Sequence, residues 1–265
     1  MSFAHRLAAL IAACVVIAAP AATTTTDFSD LWFNPNEEGW GVNVVQQKDI
    51  LFVTFFVYAA NGQPTWFVGP ATAYTGSNGG ILSFTGPLYS TTGPYFGAGT
   101  FNEAGVSARQ VGVVSFASGQ ISTAGISYTV DGVSVTKMVE RQTWRNENIN
   151  GIYTGAIAGN YIGCGAPLDG YYEAPITLNV SHDGGGTVTM REDGADYFCN
   201  YNGTYAQAGR MGQVQGSGLC SDGTNQSFIA TEVQGSLQAL TMRLFSQFAG
   251  NCVFTGRLAG VRRGG

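Results

Sequence analysis

The run LWFNPNEEGWGVNVVQQ, Leu31 to Gln47, gathers two tryptophans, two adjacent glutamates, an Asn-Pro pair and a Gly-Trp-Gly into one short segment. A carboxylate beside an aromatic platform is what sugar binding uses, because an indole offers both a stacking face and an N–H. Glycoside hydrolysis needs more: two carboxylates across one cleft. Second groups for Glu37 or Glu38 are Asp49, Asp131 and Glu140, and none has a motif around it. The structural reading of the same run is a tight turn at Asn34-Pro35. Glu37 would accept backbone N–H bonds there, and Gly39 and Gly41 would let the chain pack closely around Trp40. The candidate ligand-binding set is Trp32, Asn34, Glu37, Glu38, Trp40, Tyr58 and Trp66. No residue is assigned a catalytic role.

Other chemistries find less support. His182, in VSHDGGG, would have to serve any Ser-His-Asp triad, but that stretch reads as a hairpin turn with His182 and Asp183 exposed at its tip. Gly216-Ser217-Gly218 lacks the five-residue nucleophile elbow and the helix that should follow it. A single mature histidine and paired cysteines do not make a zinc set, so no metal is assigned. REDGAD, Arg191 to Asp196, admits a weak calcium site at Asp193 and Asp196, though Asp and Gly also make β-turns there. GSNGG and HDGGG read as hairpin tips, not phosphate loops, since no helix follows either. No cofactor is expected.

The elements that must carry these residues begin after a leader. Arg6 precedes an apolar run from Leu7 to Ala19, followed by Ala-Pro-Ala-Ala. Residues 1–22 therefore read as a secretory signal peptide, with a lipoprotein anchored at Cys14 as the alternative. The expected location is secreted or periplasmic. No later segment is long and apolar enough for a helical membrane span. Hydrophobic residues make up 45 % of the chain, enough for packed cores, while charged residues are only 11 % against a globular norm of about 25 %. With a net charge of −5 and scattered basic residues, nothing forms the Lys/Arg stripe that nucleic-acid binding needs.

Past the leader, all four tryptophans precede residue 146 and all four remaining cysteines follow it. The shift places a Trp-rich module at 27–145, a joint in RNENING (Arg145 to Gly151), and a second module at 150–265. Each reads as an antiparallel meander of about eight short strands, without a helical period. Asn61-Gly62 and Asp131-Gly132 are the hairpin signals in the first module. The fold class is all-β: two up-and-down β-barrels, with a β-sandwich as the competing architecture. The cysteines make the barrel testable. If Gly209-Arg210 is a two-residue turn, counting outward from Ala208 and Met211 brings Cys199 opposite Cys220. If the second module closes, its first and last strands pair and Cys164 meets Cys252.

The segment from Leu31 to Ala71 resembles one found in many exported bacterial proteins of unassigned function. The shared pattern is W-x-N-P-x-E-x-G-W-G, then L-F, an aromatic strand, Tyr, a Gly turn and P-x-W. Here it falls on Trp32, Asn34, Pro35, Glu37, Gly39, Trp40, Gly41, Leu51, Phe52, Tyr58, Gly62, Pro64 and Trp66. The second module, from Cys199 to the C-S-D-G at Cys220, resembles another exported bacterial domain. An aromatic residue on strand one with an arginine on the last strand is similar to lipocalin and avidin barrels. Trp32 with Arg141 or Arg145, and Tyr153 with Arg257 or Arg262, are the matching pairs. The resemblances imply export and β architecture, not a reaction. Together these features point to an exported binding protein for a glycan, a small apolar ligand or an extracellular protein. A secreted inhibitor of a host or competitor enzyme, presenting a loop such as Thr91 to Phe96, is the second class, and a carboxylate glycosidase the third.

Overall fold

The computed structural model describes residues 26–97 and 99–264. The leader read at 1–22 lies outside the described residues. Eight strands form the first module: β1 (Asp30–Phe33), β2 (Gly41–Gln47), β3 (Ile50–Tyr58), β4 (Pro64–Asn78), β5 (Ile81–Thr92), β6 (Ser107–Ser118), β7 (Thr123–Val130) and β8 (Val133–Arg141). Eight more form the second: β9 (Gly151–Ile162), β10 (Gly170–His182), β11 (Thr187–Asp193), β12 (Phe198–Ala208), β13 (Met211–Cys220), β14 (Asn225–Gly235), β15 (Ala239–Gln247) and β16 (Val253–Arg262). Each strand pairs antiparallel with the next, and each set closes on itself, β1 on β8 and β9 on β16. Both modules are therefore up-and-down barrels, and the sandwich is set aside.

Period-two alternation builds both walls. On β11, Val188, Met190 and Glu192 are buried while Thr187, Thr189 and Arg191 face outward. The outside of the second barrel carries polar residues such as Thr154, Asn179, Arg191, Asn202 and Thr255. An apolar interior with a polar exterior suits a wall that meets water. Tight coiling of the seam needs glycine. A Cβ on Gly155 would lie 1.9 Å from the Ala259 carbonyl oxygen, and Gly155 sits opposite Gly260. Asp131 and Gly132 both take positive φ, as the type I′ turn joining Val130 and Val133 requires. Asn61-Gly62 differs. The pairing of β3 with β4 ends at Tyr58 and Pro64, leaving a longer connection in which Gly62 takes positive φ. The Ala59 N–H bonds across that loop to the Gln63 carbonyl.

One end of each barrel is closed by the same device. In the first, the buried Trp32 indole N–H donates to the Phe28 carbonyl (3.0 Å) and the Arg141 guanidinium lies over its ring at 4.7 Å. In the second, the buried Tyr153 hydroxyl donates to the Ile149 carbonyl (3.0 Å) and Arg262 covers its ring at 5.2 Å. Both aromatics sit on the first strand and bond back four residues. Arg141 and Arg262 are thus the partners, not Arg145, which is exposed, nor Arg257, which pairs with Glu232. Ile149 is fully buried in the second core, so the polar joint expected at Arg145 to Gly151 already belongs in part to the second barrel.

The closed ends meet. Arg141 bonds the Asp30 carboxylate (3.0 Å) and the Ser29 and Asp27 carbonyls. The β12–β13 hairpin of the second barrel docks on the same residues. The Arg210 backbone N–H donates to Asp30 (3.0 Å), its side chain reaches Ser29 and Asp27, and the Gly209 N–H donates to the Thr143 hydroxyl (2.8 Å). At the far end of the second barrel Cys199 lies in register with Cys220, and the two are bonded; Cys164 is bonded to Cys252 across the β9–β16 seam.

Candidate functional site

The first barrel is filled along much of its length. Phe28, Trp32, Phe55, Phe84 and Phe116 are fully buried, and Phe116 packs edge-on against both Phe28 and Trp32. Trp32 is therefore a core residue and offers no ligand a surface, a correction that follows from its inward position on β1. Asn34 and Glu37 hold the turn that follows. The Asn34 side chain accepts from the Asn36 N–H (2.9 Å), and the Glu37 N–H donates to the Asn34 carbonyl (3.0 Å). The Glu37 carboxylate does not take backbone N–H groups. It accepts from the Trp40 indole (3.2 Å) and from Lys137 on β8 (2.6 Å), and the Lys137 hydrogen bond holds it below the usual carboxylate range. Trp40 is half-buried against the core, while Glu38 stays exposed.

Tyr58 and Trp66 lie on the outer wall of the first barrel, next to that turn: the Tyr58 hydroxyl sits beside Gly39, and Phe56, opposite Trp66, pairs with Gly41. There Phe56 lies opposite Trp66, with Phe52 and Tyr58 also turned to solvent. Both faces of β3 are apolar, a pattern that suits core on either side. Of the aromatic residues here Phe55 is fully buried and Phe67 partly, whereas Phe56, Tyr58 and Trp66 are 53 %, 59 % and 48 % exposed. The predicted ligand set is thus split between a core residue, a turn that braces β8, and an external ledge. The Thr91–Phe96 stretch does present exposed side chains: the Tyr95 and Phe96 rings lie 4.8 Å apart, tilted by 55°. His182 is buried against Tyr205 (4.8 Å between rings), not exposed at a tip, because it is an inward-facing residue of β10. Asp193 pairs with Arg191 at 2.8 Å.

The second barrel differs from the first in being hollow. A cavity of about 840 Å³ opens at its disulfide end. Its deeper wall is apolar, with Ile157, Leu178, Met190, Phe228, Met242 and Leu258. Nearer the mouth the wall is aromatic, with Tyr161, Tyr172, Tyr197, Tyr201, Phe248 and Phe254, and Tyr161 packs against Phe254 at 4.9 Å. Cys199, Cys220 and Cys252 also line it. Both disulfides therefore rigidify the rim.

One side chain in this wall is out of keeping with its surroundings. Glu192, 5 % exposed, projects inward from β11 into a chamber lined mainly by apolar and aromatic side chains, with Asp222, Thr224, Asn225, Gln226 and Ser246 as its other polar residues. The Tyr197 hydroxyl donates to one of its carboxylate oxygens (2.8 Å) and the Tyr201 hydroxyl to the other (3.2 Å). Gln226 in turn donates to the Tyr201 oxygen (3.3 Å), and the Tyr172 hydroxyl lies 3.5 Å from that of Tyr197. Burial pushes the Glu192 carboxyl above its ordinary value, against the opposing effect of the two phenol bonds. Burial likewise raises the Tyr161 phenol to about 12 and pushes up those of Tyr197 and Tyr201. These phenols remain neutral hydrogen-bond groups at ordinary pH.

The sequence search passed over this site, yet a signal was present. In TVTMRED the alternation puts Val188, Met190 and Glu192 on one face, so a carboxylate occupies a core-facing position. The tyrosines recur at inward positions too, Tyr161, Tyr172 and Tyr201.

No family model matches the chain, and no curated protein matches it. Among solved structures, one from Bacteroides fragilis, described as a "putative outer membrane protein", aligns over 89 % of this chain and 96 % of its own, at 10 % identity and a TM-score of 0.32. So low a score leaves the site residues to speak for function.

Proposed function

We propose that this chain is an exported, non-enzymatic binding protein whose second barrel holds one small, largely apolar ligand. The observation that carries the reading is the 840 Å³ chamber, open at one end, with Glu192 and its tyrosine partners as the buried polar group in a mainly apolar wall. That volume lies within the roughly 300–1,000 Å³ of ligand pockets, and few polar groups among many apolar ones is how such pockets orient a ligand. The back-to-back closed ends and the stapled mouth make the chamber a preformed site, which lowers the ordering cost of binding. Calorimetric titration with naphthyl compounds of neutral, cationic and anionic head group tests it. Binding of at least one, abolished by Ser246→Trp at the cavity wall, is the expected result. Absence of heat from all three would overturn it.

A second reading concerns the first barrel. The external ledge of Phe56, Tyr58 and Trp66 offers stacking faces to a glycan or to an extracellular protein partner. Trp66→Ala and Tyr58→Ala should then abolish retention on a glycan array without changing the far-ultraviolet spectrum. Undiminished retention by both variants would exclude the ledge.

A further inference from the structure

We infer that the ligand of the second barrel is an organic cation, a protonated amine on an aromatic or aliphatic body, with its nitrogen at Glu192. The inference rests on the binding reading above and narrows it. Three observations carry it. First, the charge inside the site has one sign: the side chains lining the chamber include two carboxylates, Glu192 and Asp222, and no lysine, arginine or histidine. Burying a carboxylate without a cation is costly, and an incoming ammonium is the counter-ion that this chamber itself lacks. Second, the two phenols use one acceptor site on each Glu192 oxygen, and a carboxylate has about four, so room remains for N–H donors. The phenols also fix the carboxylate, since neither oxygen can turn away without breaking a bond. Third, the wall around it is aromatic. Tyr161, Tyr172, Tyr201 and Phe254 present rings whose faces attract a positive charge, and the apolar residues deeper in the barrel take the body.

An anionic ligand would face Glu192 and the Asp222 carboxylate at the mouth. Asp222 is held in its charged form by the Thr224 backbone N–H, which donates to it at 2.8 Å. A neutral ligand would leave the buried carboxylate uncompensated. The arrangement therefore separates ligands of one shape by head-group charge.

The test uses the full mature chain and three probes with one body: naphthylmethylamine, naphthalenemethanol and naphthylacetate. The amine should bind at least about tenfold more tightly than the alcohol, and the carboxylate most weakly, as a charge-assisted hydrogen bond predicts. Glu192→Gln, which keeps the shape and a carbonyl acceptor for one phenol, should weaken the amine about tenfold or more and leave the alcohol unchanged. The wild-type ranking stands independently of how the variant folds. Binding of the alcohol as tightly as the amine, or an amine affinity indifferent to a folded Glu192→Gln, overturns the cation while leaving the binding reading intact. Silence of all three probes removes the binding reading itself.

Discussion

The disulfides offer a quantitative test of how the second barrel is held closed. Cys164–Cys252 ties residues 88 apart in sequence, whereas Cys199–Cys220 ties residues 21 apart. If cross-linking acts on the unfolded chain, the loss on removal grows with the logarithm of the loop. The loop-entropy relation gives about 4.6 kcal/mol for the longer loop and about 3.3 kcal/mol for the shorter at room temperature, a difference of about 1.3 kcal/mol. The geometry adds to this ordering. The long-loop bridge lies at the mouth end of the β9–β16 seam, which makes the sheet a barrel, while the short-loop bridge joins two strands already linked by their hairpin. Cys164→Ala/Cys252→Ala and Cys199→Ala/Cys220→Ala should be compared by urea unfolding. All four tryptophans lie at or before residue 144, so tryptophan emission follows the first barrel. Circular dichroism follows both, and the part of the change without an emission counterpart reports the second. The reasoning requires the Cys164–Cys252 variant to be the less stable of the two. Equal losses, or a larger loss at Cys199–Cys220, would refute it.

Arg141→Met leaves Asp30, 11 % exposed, without its cation and removes bonds to three carbonyls, so it should destabilise the first barrel by about 3–5 kcal/mol in urea unfolding followed by tryptophan emission. Arg109→Ala, which breaks the exposed pair with Asp131, should leave the midpoint unchanged. Trp32→Phe strands the buried Phe28 carbonyl and should cost about 1–3 kcal/mol, whereas Trp66→Ala on the outer wall should shift the melting temperature far less. The Glu192 carboxyl titrates above its ordinary value of 4.5 in the folded barrel, so its contribution to stability is complete below about 4.5 and is lost as pH rises through the folded value. The stability of Glu192→Gln relative to wild type should therefore increase with pH across that window, read from urea midpoints at matched ionic strength. A flat or falling difference would contradict the buried, desolvated placement.

What was legible in the sequence was what depends on local order. Period-two alternation and turn residues point to two meanders of about eight strands each, and eight are found in each. Counting from the Gly209-Arg210 turn sufficed to set Cys199 against Cys220, because antiparallel register follows from one turn. Closure, once assumed, likewise fixed Cys164 against Cys252. The likeness to lipocalin and avidin barrels left two arginines for each aromatic residue, and the closing seam alone puts Arg141 and Arg262 beside the rings.

Tertiary structure decided which of two apolar faces points inward and how full each barrel is. A strand such as ILFVTFFVY is apolar on both sides, so composition could not tell that Phe55 is core while Phe56 meets solvent. The tryptophan-rich run drew attention by its chemistry, yet Trp32 and Trp40 serve packing and Glu37 braces a turn to β8. In the first barrel the buried rings of Phe28, Trp32 and Phe116 pack on one another, whereas in the second Tyr161, Tyr172, Tyr197, Tyr201, Phe248 and Phe254 line the wall of an open chamber. That difference depends on side chains brought together from strands far apart in sequence, and no short stretch of residues encodes it.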